Sequence, residues 1–494
     1  MYRKRQAILS LLGVLLVALG TAAVITTSHE SQGTGAPATG ATSTPTSISH
    51  TYPTGPRDHP GVWEAVPYVP LEPVHSALLP DGQVIMWGED RNTFLFDYRT
   101  RSFSGVIESN TNLFCGGLAL LPDGRLLVAG GTKEYNMTTG EWMGLDSAEI
   151  FDPATKKWTQ IPNMTGGPRW YPTQITLADG RVAVFTGTEN GIINPNVEIY
   201  DPVSNTWSPA GELTLPMYAR GHVMPDGKVV LFSTPDQATY VWDPATGTAS
   251  RGPIQLLGYR LALDQKPSAT GGSVMVDAVR GRLVLFGGPH GGVQAHSAEA
   301  FDYATRSWSW GTRLNHDRQW VTGVGLPNGD VLAVGGDTGL LDLPPIPAEW
   351  LDLATGSWID VAAPHNRLPY HSTALLLPDG SVLATNQKDR VTEIYKPWYF
   401  FAGERPVITH APSRIAYGQG FAIATPDAED VQQVVLVRVS STTHGLNTDQ
   451  RRVVLDFVEA AGEITAVGPT TSSIAPPGYY LLFLLDDRGV PSEG

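Results

Sequence analysis

Cysteine is almost absent from this chain of 494 residues, and the only one is Cys115. No intrachain disulfide can form, which excludes the stapled frameworks on which many exported domains rely. Taken alone, a single cysteine reads as a small buried apolar residue. Positive charge is also scarce: 33 Lys and Arg stand against 48 Asp and Glu, a formal charge of −15. A nucleic-acid partner needs a basic surface to displace counterions, so that class is excluded. Only 16% of residues are charged, too few for long solvated helices. What is abundant is Gly (53), Pro (39) and Trp (13), the balance of many short strands and tight turns.

The first residues stand apart. Arg3, Lys4 and Arg5 precede an uncharged run from Gln6 to Ser28, so residues 1–28 read as a signal peptide or N-terminal membrane anchor. About twenty apolar residues can span a bilayer, which favours a retained anchor over cleavage. An extracytoplasmic protein, secreted or membrane-anchored at the cell surface, is expected. Residues 29–59, rich in Gly, Ser, Thr and Pro, read as a disordered linker.

Self-similarity dominates the rest. Segments such as GGLALLPDGRLLVAGG, PTQITLADGRVAVFTG and STALLLPDGSVLATN read as strand, turn and strand, with turn glycines at Gly82, Gly124, Gly180, Gly227, Gly281, Gly329 and Gly380. Asp-Gly and Asn-Gly supply the positive φ of a two-residue hairpin. Between them recurs a second hairpin, EIFDPATKKW, EIYDPVSNTW, EAFDYATRSW and EWLDLATGSW. Two hairpins per repeat of about fifty residues, with a late Trp, read as the four-stranded blade of a kelch repeat. The predicted fold is all-β, a seven-bladed kelch β-propeller over 60–400. Beyond it, 405–494 alternates apolar and polar residues as a small immunoglobulin-like β-sandwich does. PSEG follows its last strong strand, a layout that leaves room for one more edge strand.

In a propeller, equivalent positions of successive blades ring the axis. Eight residues before the turn Asp or Asn stand Cys115, Tyr171, Tyr218, Trp320 and His371, and Tyr370 directly precedes the last. Imidazole and phenolate with open positions suit Cu(II) better than structural zinc. A thiol lying against a tyrosine ring can be joined to it oxidatively as a thioether, which stabilises a phenoxyl radical. His75 and His222, inside hairpin strands, read as packed histidines, and Tyr218 reads as channel-lining. Asn136 and Asn163 head N-x-T sequons.

NTNLFCGGLALLPDGRLLVAGG around Cys115, PRWYPTQITLADGR around Tyr171, LPYHSTALLLPDG around Tyr370 and His371, and STTHGLNTDQRRVVL around His444 carry a resemblance. Over about 60–494 the chain resembles the galactose oxidase and glyoxal oxidase family of copper-radical oxidases, with RWYPT closer to glyoxal oxidases. The resemblance implies one copper ion held by Tyr171, Tyr370, His371 and His444, with His444 on a loop of an E-set type C-terminal domain. It also implies a self-derived Cys115–Tyr171 thioether radical and Tyr370 as the base. The implied reaction oxidises a primary alcohol or aldehyde with O2, yielding H2O2. The galactose oxidase tryptophan that stacks over the thioether has no counterpart after Tyr171, and Trp320 is the expected substitute. A small aldehyde or alcohol, or a surface glycan, is the expected substrate, and the protein is expected to be a monomer. The alternative is a non-catalytic kelch propeller binding glycans or proteins, which has no need of these residues together.

Overall fold

The computed structural model describes residues 23–25 and 58–494, except for residues 67, 233–236, 256–260, 263–267, 289–295, 337–343 and 461. The expected leader and linker thus lie almost wholly outside the described residues. Among the described residues no helix is long and apolar enough to cross a membrane.

Seven blades, each built on four antiparallel strands, follow the predicted phase. The second blade runs from axis to rim through Gly117–Leu120, Leu126–Ala129, Ala148–Asp152 and Lys157–Ile161. Its two inner strands are buried throughout, while the rim strand exposes Lys157, Thr159 and Gln160 and buries Trp158 and Ile161. Gly124 turns the inner hairpin at φ +86, and a Cβ there would meet the Pro80 ring of the first blade at 2.4 Å. Glycine is required on both counts.

In five of the seven blades a late tryptophan ties the blade to the one before it. The indole N–H of Trp158 donates to Thr93 at 3.1 Å, that of Trp207 to the Pro162 carbonyl at 2.7 Å, and that of Trp308 to Thr239 at 2.7 Å. Trp358 likewise reaches the Thr312 carbonyl at 3.2 Å. The seventh blade, Thr373–Leu376, Val382–Asn386 and Val391–Lys396, takes its rim strand from the start of the propeller, Val62–Ala65. Trp63 there fills the late-tryptophan position, donating to the Ala362 carbonyl at 2.7 Å. First and last blades are thereby closed by backbone pairing, which leaves the ring no open edge at the joint.

The C-terminal unit is the predicted sandwich. One sheet holds Arg414–Ile415, Ala23–Ile25, Gly478–Asp486, Val431–Arg438 and Arg452–Leu455 in that order, and the other holds Gly420–Ala424, Glu463–Val467 and Phe457–Ala460. Alternation along Val431–Arg438 sends Val434 and Leu436 into the sandwich core with Ile464 and Ala466. Val435 and Val437 join the core shared with the first and seventh blades. From this sheet the chain enters the propeller, where Ser441–Thr443 pairs with the inner strand His75–Leu78 of the first blade.

Candidate metal centre

The in-phase residues share one backbone state. Cys115 (φ 62), Tyr171 (φ 62), Tyr218 (φ 50), Trp320 (φ 62) and His371 (φ 71) all lie in the left-handed region, as does His444 (φ 50). Side chains other than glycine are uncommon there and cost about 1–3 kcal/mol each, so the surroundings must impose the conformation. Part of that constraint is a chain of backbone bonds around the axis. Tyr171 N donates to the Cys115 carbonyl at 2.9 Å, and Tyr218 N to the Tyr171 carbonyl at 3.1 Å. Cys115 N donates to His75 Nε2 at 2.9 Å, which makes the packed His75 a support for the cysteine.

A second constraint comes from buried glutamates at the head of the third blade strands. Glu149 accepts from the backbone N–H of Asn110 (2.9 Å) and Thr111 (2.6 Å), and Glu198 from Thr165 and Gly166 (both 2.7 Å). Glu349 accepts from Asn315 N at 2.5 Å, and Glu393 from His365 N at 3.0 Å and Asn366 N at 2.9 Å. Asn110, Gly166, Asn315 and Asn366 each stand five residues before Cys115, Tyr171, Trp320 and His371. Buried Arg169 and Arg318 pair with Glu198 (3.3 Å) and Glu349 (2.9 Å) and brace the same loops. Sequence reasoning passed over these glutamates, although their recurrence in EIFD, EIYD, EAFD and EWLD was the signal.

The expected residues Cys115, Tyr171, Tyr370, His371 and His444 come together at the axis. Tyr171 Oη is hydrogen-bonded to Tyr370 Oη and lies 3.0 Å from His444 Nε2. The His371 and His444 rings are 4.4 Å apart and edge-on. Both imidazoles are held in one tautomer. Thr443 Oγ1 donates to the Val74 carbonyl at 3.1 Å and so accepts from His444 Nδ1 at 2.6 Å. Gln387 accepts from His371 Nδ1 through Oε1, and its amide is oriented by donating to Glu89 at 2.7 Å. The Nε2 lone pairs therefore face the axis, and that of His371 is buried without a hydrogen-bond partner. Burial holds His371 down to about 4 and His444 well below the ordinary imidazole range, so both are neutral at pH 7. It pushes the Tyr171 and Tyr370 phenols up, so each is protonated until a cation arrives.

Cys115 is fully buried beside Tyr171. Burial pushes its thiol well above the usual range, against interactions with Tyr171, Thr132 and Trp170 that pull it down. It is a protonated thiol and no free nucleophile.

The role expected of Trp320 is corrected. It precedes the sixth blade and packs on Tyr370 of the adjoining seventh, at 4.8 Å and 55°. The ring stacked on Tyr171 is its own neighbour Trp170, at 3.9 Å and 8°. Tyr218, read as channel-lining, covers the other face at 4.4 Å and 22°. Above Tyr370 and His371 opens a cavity of about 490 Å³, whose walls include Glu72, Arg367 and Lys388.

Residues 405–494 match the family described as Galactose oxidase-like, Early set domain, and residues 114–165 match the Kelch motif. The galactose oxidase of Gibberella zeae is 27% identical over 89% of this chain and 70% of its own length. The aldehyde oxidase GLOX of Vitis pseudoreticulata is 26% identical over 88% of this chain and 96% of its own. A fungal alcohol oxidase, solved in complex with copper, superposes with a TM-score of 0.75 at 26% identity, covering 88% of this chain and 98% of that one. Fold, site geometry and relatives agree in likening the chain to the galactose oxidases and glyoxal oxidases.

Proposed function

We propose that this protein is an extracytoplasmic copper-radical oxidase that converts a primary alcohol or aldehyde, with O2, to an aldehyde or carboxylic acid and H2O2. The observation that carries this reading is the convergence of two neutral imidazoles, each with its Nε2 lone pair turned inward, on two hydrogen-bonded phenols. Two nitrogens and two phenol oxygens suit Cu(II), and no other use is evident for the unpartnered nitrogen of His371. Tyr171, Tyr370, His371 and His444 would hold the ion. Copper, when bound, supplies a second one-electron acceptor and the place where dioxygen is reduced.

The chain's own residues do the rest. Tyr370 lines the cavity and takes the substrate hydroxyl proton. Tyr171, oxidised to a phenoxyl radical and joined to Cys115, takes a hydrogen atom from the substrate carbon. Trp170 and Tyr218 cover its ring and keep water from it. Glu72, Arg367 and Lys388 give the cavity a polar mouth suited to a hydrated aldehyde or a glycan hydroxyl.

Copper-loaded protein should release peroxide from an aldehyde or primary alcohol in a peroxidase-coupled assay. Its Cys115 and Tyr171 peptides should appear in the mass spectrum as one species lacking two hydrogen atoms. Cys115→Ser should lose both the link and turnover, the latter on the order of a thousandfold. Absence of the link, or of peroxide across the substrate panel, overturns the proposal.

A further inference from the structure

Between the second and third strands of the second blade the chain makes a hairpin, Thr132–Asn136 paired with Glu141–Gly144, in addition to the four blade strands. Tyr135 and Trp142 are opposite each other across it. Tyr135 is 44% exposed and Trp142 half-buried, whereas Trp170 is 7% and Tyr171 3% exposed. The four rings form an unbroken series from surface to centre. Tyr135 meets Trp142 at 5.0 Å, Trp142 is stacked on Trp170 at 5.8 Å and 17°, and Trp170 on Tyr171 at 3.9 Å and 8°. Thr132 accepts the Trp170 indole N–H at 3.0 Å and donates to the Phe114 carbonyl at 2.8 Å, which fixes that ring in the stack.

Packing accounts for Trp142, which lies against the buried cluster around Cys115 and Tyr171, but gives little reason for Tyr135, which remains largely in water at the outer end of the series. Tryptophan and tyrosine are the side chains that lose single electrons most readily, and tunnelling weakens steeply with distance. Rings in van der Waals sequence therefore conduct where a single long step would not. On the other face of Tyr171 the series ends inside the protein, since buried Tyr218 donates its hydroxyl to the Gly116 carbonyl at 3.1 Å. Of the two faces of the Tyr171 ring, the one covered by Trp170 is, among the described residues, the one that leads through stacked rings to the surface.

We infer that Trp170, Trp142 and Tyr135 form a relay carrying single electrons from Tyr171 to a high-potential one-electron acceptor at the surface too large to enter the cavity. The inference rests on the reading of Tyr171 as the radical residue. The acceptor gains one electron from Tyr135 or Trp142. The vacancy passes through Trp170 to Tyr171, which gives up its phenolic proton to His444 Nε2, 3.0 Å away. The outcome is a neutral Tyr171 radical, a protonated His444 and an acceptor reduced by one electron.

The test uses the metal-free full chain and tris(bipyridine)ruthenium(III), a bulky one-electron oxidant generated by a light flash. The tyrosyl signal is read by electron paramagnetic resonance and assigned by its loss in Tyr171→Phe. Trp142→Phe keeps the ring but removes its oxidisable character, and should slow radical formation on Tyr171 by on the order of tenfold or more. Trp142→Tyr should restore most of the rate. Copper-dependent formation of the Cys115–Tyr171 link should be unchanged in Trp142→Phe, which shows the site intact. Equal radical rates in wild type and Trp142→Phe, with the link forming in both, overturn the relay alone. A wild-type chain that gives neither radical nor link overturns the relay together with the reading of Tyr171.

Discussion

At the scale of single residues the centre depends on what lies behind each candidate ligand atom. Gln387 accepts the His371 Nδ1 proton and thereby bares Nε2, and Glu89 holds the amide in the orientation that can accept. Such outer partners are worth about 10–100-fold in metal affinity, so Gln387→Leu should weaken copper binding by that factor in a competition titration. Gln387→Glu, which can still accept, should recover most of it. His222 is a buried histidine outside the centre, its Nε2 3.0 Å from Ser273 Oγ, and burial holds it down to about 3. Its folded pKa is below its unfolded one, so its contribution is full above about pH 6.5 and is lost as pH falls toward 3. In that window the unfolded chain binds one proton more than the folded chain at this site. His222→Gln, which can keep a bond to Ser273, should flatten the loss of stability by about 1.4 kcal/mol per pH unit near pH 5, read from denaturant unfolding at several pH values.

At the scale of elements the buried glutamates link blade to site. Glu393, on the third strand of the seventh blade, also accepts the Asn366 side-chain amide at 3.0 Å and pairs with His365 Nδ1 at 2.8 Å. Glu393→Gln turns an amide donor toward backbone donors and should cost about 1–3 kcal/mol of stability. Because Asn366 leads directly to Tyr370 and His371, copper affinity should fall as well, whereas a change on a rim strand such as Thr159→Ala should leave it alone. The hairpins were legible in the sequence because Asp-Gly turns and alternating apolar residues are local signals. Counting from those turns also located Cys115, Tyr171 and His371. Trp170 was not found, since its place over Tyr171 follows from the left-handed backbone at Tyr171, which strand periodicity does not reveal. The Tyr135–Trp142 hairpin was missed because it lies between blade strands, in addition to the four that the repeat supplies. The closing strand did carry a signal, because the seventh repeat lacks a late tryptophan and Trp63 supplies it from the far end of the propeller.

At the scale of the whole molecule the centre is a joint between parts that sequence places far apart. Tyr171 comes from the third blade, Tyr370 and His371 from the seventh, and His444 from the C-terminal unit by way of Ser441–Thr443 on the first blade. No periodicity could have selected His444, because the strand that delivers it joins the propeller by pairing with His75–Ala77 and belongs to no repeat of its own. A ligand held from three sides binds the folded state and has no equivalent site in the unfolded chain, so its binding free energy becomes folding free energy. Copper at a hundredfold above its dissociation constant should add about 2.7 kcal/mol of stability, seen as a rise in Tm by calorimetry. His444→Asn breaks the link between the C-terminal unit and the propeller axis, and should abolish most of that rise even where the variant folds. His222→Gln, equally buried but outside the centre, should keep it. A metal-induced rise of equal size in His444→Asn would place the stabilising copper elsewhere and separate the joint from the centre.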